Sequence, residues 1–147
     1  MKLKQISVPI ENSRDRLYEL TNALENKGIT PRALTLVDTG NYGELRILVS
    51  DVVTARQILL QKEIPGRIDD VVAVEIENTA GQLSKLIAKL MDADIKIKYS
   101  YASAGVNQGK RVMIFCFSDN DKAIQVLTEK QIQPLDYNSI GMLEAAA

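Results

Sequence analysis

One stretch decides the fold of this chain: Val71-Val72-Ala73-Val74-Glu75-Ile76-Glu77-Asn78-Thr79-Ala80-Gly81-Gln82-Leu83. Its first part is β-branched and apolar and then alternates with acidic residues, which is typical of a strand. Asn78 and Thr79 are good helix-capping residues, and Gly81 permits a close approach of the backbone to another group. Backbone N–H groups at the positive end of a helix dipole can hold a small carboxylate. A capped strand-to-helix corner without any ligand explains the same residues.

The chain contains this stretch twice. Ile10-Glu11-Asn12 corresponds to Ile76-Glu77-Asn78, and Leu17 corresponds to Leu83 in the same register. These matches are 66 positions apart, and after a two-residue shift in the middle turn the match resumes, where Ser50-Asp51 corresponds to Ser118-Asp119. A fixed period of this length indicates two copies of one supersecondary unit.

The composition excludes several classes of protein. The chain has 147 residues, a formal net charge of −1 and 46% hydrophobic residues. The near-neutral charge gives no reason to expect nucleic acid or an anionic membrane as a partner. No apolar run approaches the ~20 residues that span a bilayer, and the first residues lack the apolar core of a signal peptide. The single cysteine, Cys116, cannot form an intrachain disulfide, and we expect a cytoplasmic protein.

The hydrophobic periodicity predicts the same order of elements in both repeats. Each repeat reads as strand, helix, two strands, helix and strand, which is the ferredoxin-like βαββαβ plan with an antiparallel sheet and both helices on one face. We therefore predict an α+β protein with domains at 1–70 and 71–140 and a tail at 141–147. The predicted strands of the first repeat are 2–11, 32–38, 44–50 and 67–70, with helices at 12–27 and 51–62. Those of the second are 71–77, 95–102, 110–117 and 132–137, with helices at 81–91 and from 119 or 120 onward.

Both faces of the predicted sheets are apolar. We place Val112, Ile114 and Cys116 on the helix-bearing face of the second repeat, and a second apolar set on the opposite face. An apolar face without helices has to be covered, either by the other repeat or by another subunit. The residues predicted for the opposite face are Met113, Phe115 and Phe117 in the second repeat and Leu34, Leu36 and Leu48 in the first.

A βαββαβ unit with Asn-Thr-Ala-Gly-Gln-Leu at 78–83 resembles the ACT domain family. The segment 97–101, Ile-Lys-Tyr-Ser-Tyr, is similar to the aromatic second strand of such domains, and two copies in tandem resemble stand-alone tandem ACT proteins. The resemblance implies a non-catalytic, allosteric regulator that binds a small metabolite, an amino acid in particular, where ACT domains pair. It further implies a homo-oligomer, expected to be a dimer, and no cofactor or metal.

The resemblance also implies a set of binding residues at the first strand-to-helix corner of each repeat. The glycine of the family falls on Gly81 in the second repeat but on Asp15 in the first, so the first corner is occluded, uses Arg14 to hold an acid group, or does not bind. Tyr99 and Tyr101 are expected to share a strand face with Ile97, packing in the core or contacting the ligand through their hydroxyl groups. The candidates are Asn78, Thr79, Ala80, Gly81, Gln82, Leu83, Asn12, Ser13, Arg14, Tyr99 and Tyr101.

The sequence argues against catalysis. It contains no histidine, which excludes histidine-based acid–base and triad chemistry. It also lacks a phosphate-binding glycine motif and the Cys/His spacing of a metal site. Two other hypotheses stay open: a structural dimerisation module without a ligand, and, more remotely, an RNA-binding protein.

Overall fold

The computed structural model of the chain describes residues 1–11 and 13–144, which fold into two compact units. The first-repeat unit comprises Lys4–Asp69 and the described residues from Gly141 onward. The second-repeat unit comprises Asp70–Ile140 together with Met1–Leu3. The predicted domain limits, 1–70 and 71–140, stay a prediction.

The first-repeat unit is an antiparallel sheet with two helices. Strand β3 lies between β2 and β1, with Ile6 and Leu34 both opposite Ile47. Its elements are β1 (Leu3–Pro9), α1 (Ser13–Glu25), β2 (Pro31–Asp38), β3 (Gly43–Val49), α2 (Val52–Gln61) and the start of β4 (Arg67–Glu77).

The second-repeat unit repeats this order. Strand β6 lies between β4 and β5, and all pairings are antiparallel. Strand β4 continues from the first repeat without a break, so the two strands predicted at 67–70 and 71–77 form one strand. The further elements are α3 (Gln82–Met91), β5 (Ile97–Ala104), β6 (Lys110–Phe117), α4 (Asn120–Glu129) and a short 3-10 helix at Asn138–Ile140.

The predicted fold class is confirmed. In the described part of the chain, six antiparallel strands and four helices follow one another in a repeated βαββαβ-like pattern in which β4 serves both repeats, consistent with two ferredoxin-like units. No helix in the described part of the chain is long and apolar enough to cross a membrane.

The last predicted strand, 132–137, is wrong. This segment contains no strand in the structure, and its one described backbone hydrogen bond to β4 runs from the Leu135 N–H to the Ala73 carbonyl at 2.8 Å. Pro134 has no N–H to donate, which interrupts any regular ladder at this point. The described residues of the predicted tail, 141–144, belong to the first-repeat unit, where Met142 is buried and the Leu143 N–H donates to the Ser50 carbonyl at 2.7 Å.

The predicted faces of the second sheet are reversed. Met113, Phe115 and Phe117 form one core cluster with Leu86 of α3 and Leu127 of α4, so they face the helices. A period of two shows that residues alternate, but it cannot show which of two apolar sets meets the helices. The opposite set is buried within the single chain, so its burial needs no second subunit; these residues are Val112, Ile114 and Cys116.

Leu34 and Leu36 of the first repeat were also assigned to the wrong face. They lie opposite Ile47 and Leu45, and residues opposite one another in antiparallel strands share a face. Ile6 and Val8 pair with the same two β3 residues, and a Cβ on Gly66 would contact both of them and Leu59 of α2. This is therefore the helix-bearing face, and of the three leucines only Leu48 lies on the other one.

Candidate functional site

Helix α3 begins at an exposed corner without a side-chain cap. Its N-cap residue is Gly81, with φ 91° and ψ −16°, and no side chain accepts a hydrogen bond there. The prediction that Asn78 or Thr79 caps this helix is wrong. A Cβ on Gly81 would meet no atom within 4 Å, so glycine is required by the left-handed backbone and not by close packing.

Helices α2 and α4 begin differently. The Asp51 carboxylate accepts from the Thr54 N–H at 3.1 Å, and the Asp119 carboxylate accepts from the Lys122 N–H at 3.0 Å. At α3 the corresponding N–H groups are those of Leu83 and Ser84, for which the described residues provide no acceptor. These donors lie at the positive end of the helix dipole and can bind an external carboxylate.

The corner is anchored to the neighbouring turn between β5 and β6. The Asn78 N–H donates to the Gly109 carbonyl at 2.9 Å. The Glu75 carboxylate accepts from the backbone N–H groups of Val106 at 2.6 Å and Asn107 at 3.1 Å, and from the Asn107 amide at 2.8 Å. Burial raises the pKa of Glu75, but these hydrogen bonds outweigh it and hold the pKa below its usual range. The loop before α3 is exposed, and these hydrogen bonds hold the end of β4 that precedes it against the β5–β6 turn.

Arg111 is a residue near this corner that the sequence motifs did not single out. It lies opposite Ile76, two positions beyond Gly109, and its place in the β6 alternation puts its side chain on the helix-bearing face. Its Nε atom is buried and has no hydrogen-bond partner among the described residues. The feature of the sequence that could have identified Arg111 is its charge at the start of the apolar run of β6, Lys110-Arg111-Val112-Met113-Ile114-Phe115-Cys116-Phe117.

The two tyrosines are not brought to the α3 corner. Tyr101 lies opposite Ile114 and Tyr99 opposite Cys116, so both are on the face away from α3. The register shifts between Ile97 and Tyr99, which places Ile97 on the helix-bearing face against the core cluster. The prediction that all three share a face is wrong because the irregularity at this point reverses the alternation.

The corresponding corner of the first repeat has a different chemistry. Asn12 lies outside the described residues, and Ser13 is described only as the first residue of α1. The Arg14 side chain is 89% exposed and its Nε lies 3.3 Å from the Asp15 carboxylate. Asp15 and Arg14 therefore neutralise one another at the helix start.

A groove of about 230 Å³ runs along α3 beside the end of β4. Its floor is apolar, with Val74, Ile76, Leu86 and Ile132, whereas lysines line its rim. Of the predicted site residues only Gln82 contributes to it. Among the described residues, no cluster of three or more acidic or cysteine side chains could hold a metal ion.

The chain was compared with known proteins at three levels. The family model of the ACT domain pair matches residues 1–143. The comparison with curated proteins found no match. Among solved structures, protein BT0572 from Bacteroides thetaiotaomicron is similar with a TM-score of 0.89 and 32% identity, covering 97% of this chain and 98% of that one.

More distant structures share the fold. The regulatory subunit of aspartate kinase from Thermus thermophilus, in its ligand-free form, has a TM-score of 0.60 at 15% identity, covering 86% of this chain and 90% of that one. The regulatory subunit from Thermus flavus covers the same shares with a TM-score of 0.58 at 15% identity.

Proposed function

The chain belongs to the ACT domain pair family, and from this premise we propose that it is a non-catalytic regulatory protein that binds an amino acid at the β4–α3 corner. The observation that carries the proposal is the uncapped start of α3, in a chain whose helices α2 and α4 both begin at an aspartate cap. The ligand carboxylate takes the place that a capping side chain occupies elsewhere.

The carboxylate is held by backbone donors. The N–H groups of Leu83 and Ser84 point out of the first turn of α3, and Gly81 leaves the space beside them open. A carboxylate at this position gains both hydrogen bonds and the favourable helix dipole, each of which contributes about 1 kcal/mol in exposed sites. Arg111, two residues along β6 from the corner, adds positive charge on the same side of the sheet.

The remainder of the ligand lies against polar side chains. Asn78 and Thr79 are exposed in the loop, and Gln82 is half-buried at the first helical position. Since none of these side chains caps the helix, their amide and hydroxyl oxygens can accept from the α-amino group. Capture of the carboxylate and of the α-amino group is common to amino acids, so a preference among them depends on contacts of these polar residues with the side chain of the ligand.

Regulation follows from the exposure of the corner. A ligand on a single exposed loop is covered on one side only, and we propose that a second copy of the chain closes over it in a homodimer in the cytoplasm. Ligand binding then stabilises the closed arrangement by its differential affinity, which is how a module without chemistry controls a partner.

A structural dimerisation module without a ligand is the alternative function. The paired charges of Arg14 and Asp15 favour it for the first corner, because the Asp15 carboxylate already lies at the Arg14 side chain that would hold an acid group. This alternative predicts that no amino acid changes the thermal stability of the protein.

The proposal is tested by thermal unfolding of the wild type with each of the twenty amino acids. A ligand at 100 times its Kd adds about 2.7 kcal/mol to the free energy of unfolding, which raises Tm by several degrees. The variant Gly81→Val, whose side chain fills the open space beside the α3 donors, is expected to lose this shift.

Gly28→Val is the matched control. Gly28 has φ 75° and, like Gly81, would place an added Cβ more than 4 Å from any neighbouring atom. Valine therefore causes a similar backbone strain of about 1–2 kcal/mol at either position. Loss of the ligand shift in Gly81→Val alone supports the proposal. An equal response of both variants, or no shift in the wild type with any amino acid, overturns it.

A further inference from the structure

The groove along α3 carries an excess of positive charge that the fold does not use. Its rim contains Lys85, Lys89 and Lys110, together with Glu75 and Glu77. The Lys110 ammonium lies 3.3 Å from the Glu77 carboxylate, and Glu75 accepts from the β5–β6 turn.

No acidic partner is described for Lys85 or Lys89. Both side chains are exposed, and they stand four residues apart on the same face of α3. Like charges at this spacing destabilise a helix by about 0.2–0.5 kcal/mol. The Lys130 ammonium adds a further charge nearby, where it donates to the Lys89 carbonyl at 2.9 Å. The whole chain has a net charge of −1, so this accumulation of lysines is local.

The floor between these charges is apolar. Val74 and Leu86 are buried members of the core cluster, and Ile76 and Ile132 are only partly buried against it. Part of their surface therefore faces the groove. The volume of about 230 Å³ lies below the range of roughly 300–1,000 Å³ for drug-sized ligands and suits a molecule of a few carbons.

We propose that this groove binds a small carboxylic acid with an apolar chain, its carboxylate between Lys85 and Lys89 and its chain on the apolar floor. An apolar chain gains from burial against Ile76 and Ile132, which an inorganic anion cannot do. The carboxylate relieves the repulsion between the two ammonium groups.

Of the residues assigned to the proposed amino-acid site, this site shares only Gln82. Lys85 and Lys89 lie about one and two turns along α3 from Gly81. The groove does not need the α-amino group of its ligand, and it does not use the backbone donors at the start of the helix. Gly81→Val is therefore expected to leave binding in the groove unchanged.

The test is an NMR titration of the ¹⁵N-labelled protein with 4-methylpentanoate and, in parallel, with the uncharged 4-methylpentanamide. We expect saturable shifts at residues 85–89 and at Ile132 with the acid, and about tenfold weaker binding of the amide. The variant Lys85→Gln/Lys89→Gln is expected to weaken binding of the acid about tenfold, since it removes two partly exposed charge contacts.

Lys122→Gln is the control, because Lys122 is an exposed lysine of α4 that does not line the groove. Unchanged binding in this variant, with loss in the double variant, supports the site. Equal binding of acid and amide, wild-type binding by the double variant, or no saturable shift at millimolar acid overturns the proposal. Unchanged spectra outside the groove verify that the double variant is folded.

Discussion

Helices α3 and α4 are built alike along their length and differently at their starts. Each has ten residues, and each packs two buried side chains against the same apolar cluster: Leu86 and Leu90 of α3, Ala123 and Leu127 of α4. Asp119 caps α4 from extended backbone at φ −143°, whereas Gly81 starts α3 in the left-handed region and provides no acceptor. Packing therefore holds both helices in place, and only one of them keeps its first N–H groups available.

Helices α2 and α4, which each follow a β-hairpin, both have an aspartate cap and differ from α3 in this respect. Asp51 and Asp119 occupy equivalent positions of the two repeats, and both accept from the N–H three residues later. The difference at α3 is thus a property of the first corner of the second repeat. A helix that needs no cap for its stability can use its N-terminus for binding.

The substitutions with the largest expected effect test whether α3 and α4 are packed equally well against the core. Leu86→Ala and Leu127→Ala each remove a side chain that is at most 3% exposed in one shared core. Each is expected to lower the free energy of unfolding by about 2–5 kcal/mol, measured by urea denaturation. If Leu86→Ala costs less than about 1 kcal/mol while Leu127→Ala costs several, α3 is not anchored by the core and the comparison fails.

An intermediate effect is expected from removing the cap of α4. Asp119→Ala deletes the acceptor for the Lys122 N–H and is expected to cost about 1 kcal/mol in the same measurement. Thr79→Ala before α3 is the matched variant and is expected to change stability by less than about 0.5 kcal/mol, since its side chain caps nothing. A comparable loss in both variants would show that Thr79 supports α3 in solution.

The smallest effect is a pH dependence at the capped helix α2. Hydrogen bonds from the Thr54 hydroxyl and backbone N–H hold the pKa of Asp51 below its usual value, so the folded state releases this proton more readily than the unfolded state. The resulting stability is fully present above the unfolded-state pKa of about 3.9 and is lost as the pH falls through the folded-state pKa.

The variant Asp51→Asn isolates this contribution. The difference in unfolding free energy between wild type and variant is expected to shrink between about pH 5 and pH 2, as urea denaturation at each pH measures. A difference that stays constant over this interval would mean that the Asp51 carboxylate titrates alike in both states, contrary to the cap geometry.

The sequence by itself determined the repeat, the fold class and the order of the elements as far as the last helix. These features follow from periodicity and from local capping chemistry, which neighbouring residues carry within a few positions. Strand β6 was predicted with the bounds that it has, Lys110–Phe117, Asp51 was placed correctly before α2, and Asp119 was one of the two residues predicted to open α4. Local signals are sufficient where the ends of an element are set by residues close to them in the sequence.

Only the tertiary structure decided which face of each sheet meets the helices. Both alternating sets of β6 are apolar, and the shift between Ile97 and Tyr99 reverses the alternation of β5 without leaving a mark in the sequence. The residue at which α3 begins was also decided only by the tertiary structure. Asn78 and Thr79 are good caps by type, but the left-handed turn at Gly81 sets where the helix begins, and neither side chain caps it.

The groove along α3 is likewise visible only in the tertiary structure. Lys85, Lys110 and Ile132 are far apart in the sequence, and each alone reads as an ordinary surface or core residue. The position of Ile132 depends on the path that the chain takes after α4, where the strand that periodicity predicts is absent. Residues that act through distant neighbours become visible only when packing has brought them together, because no local pattern encodes that proximity.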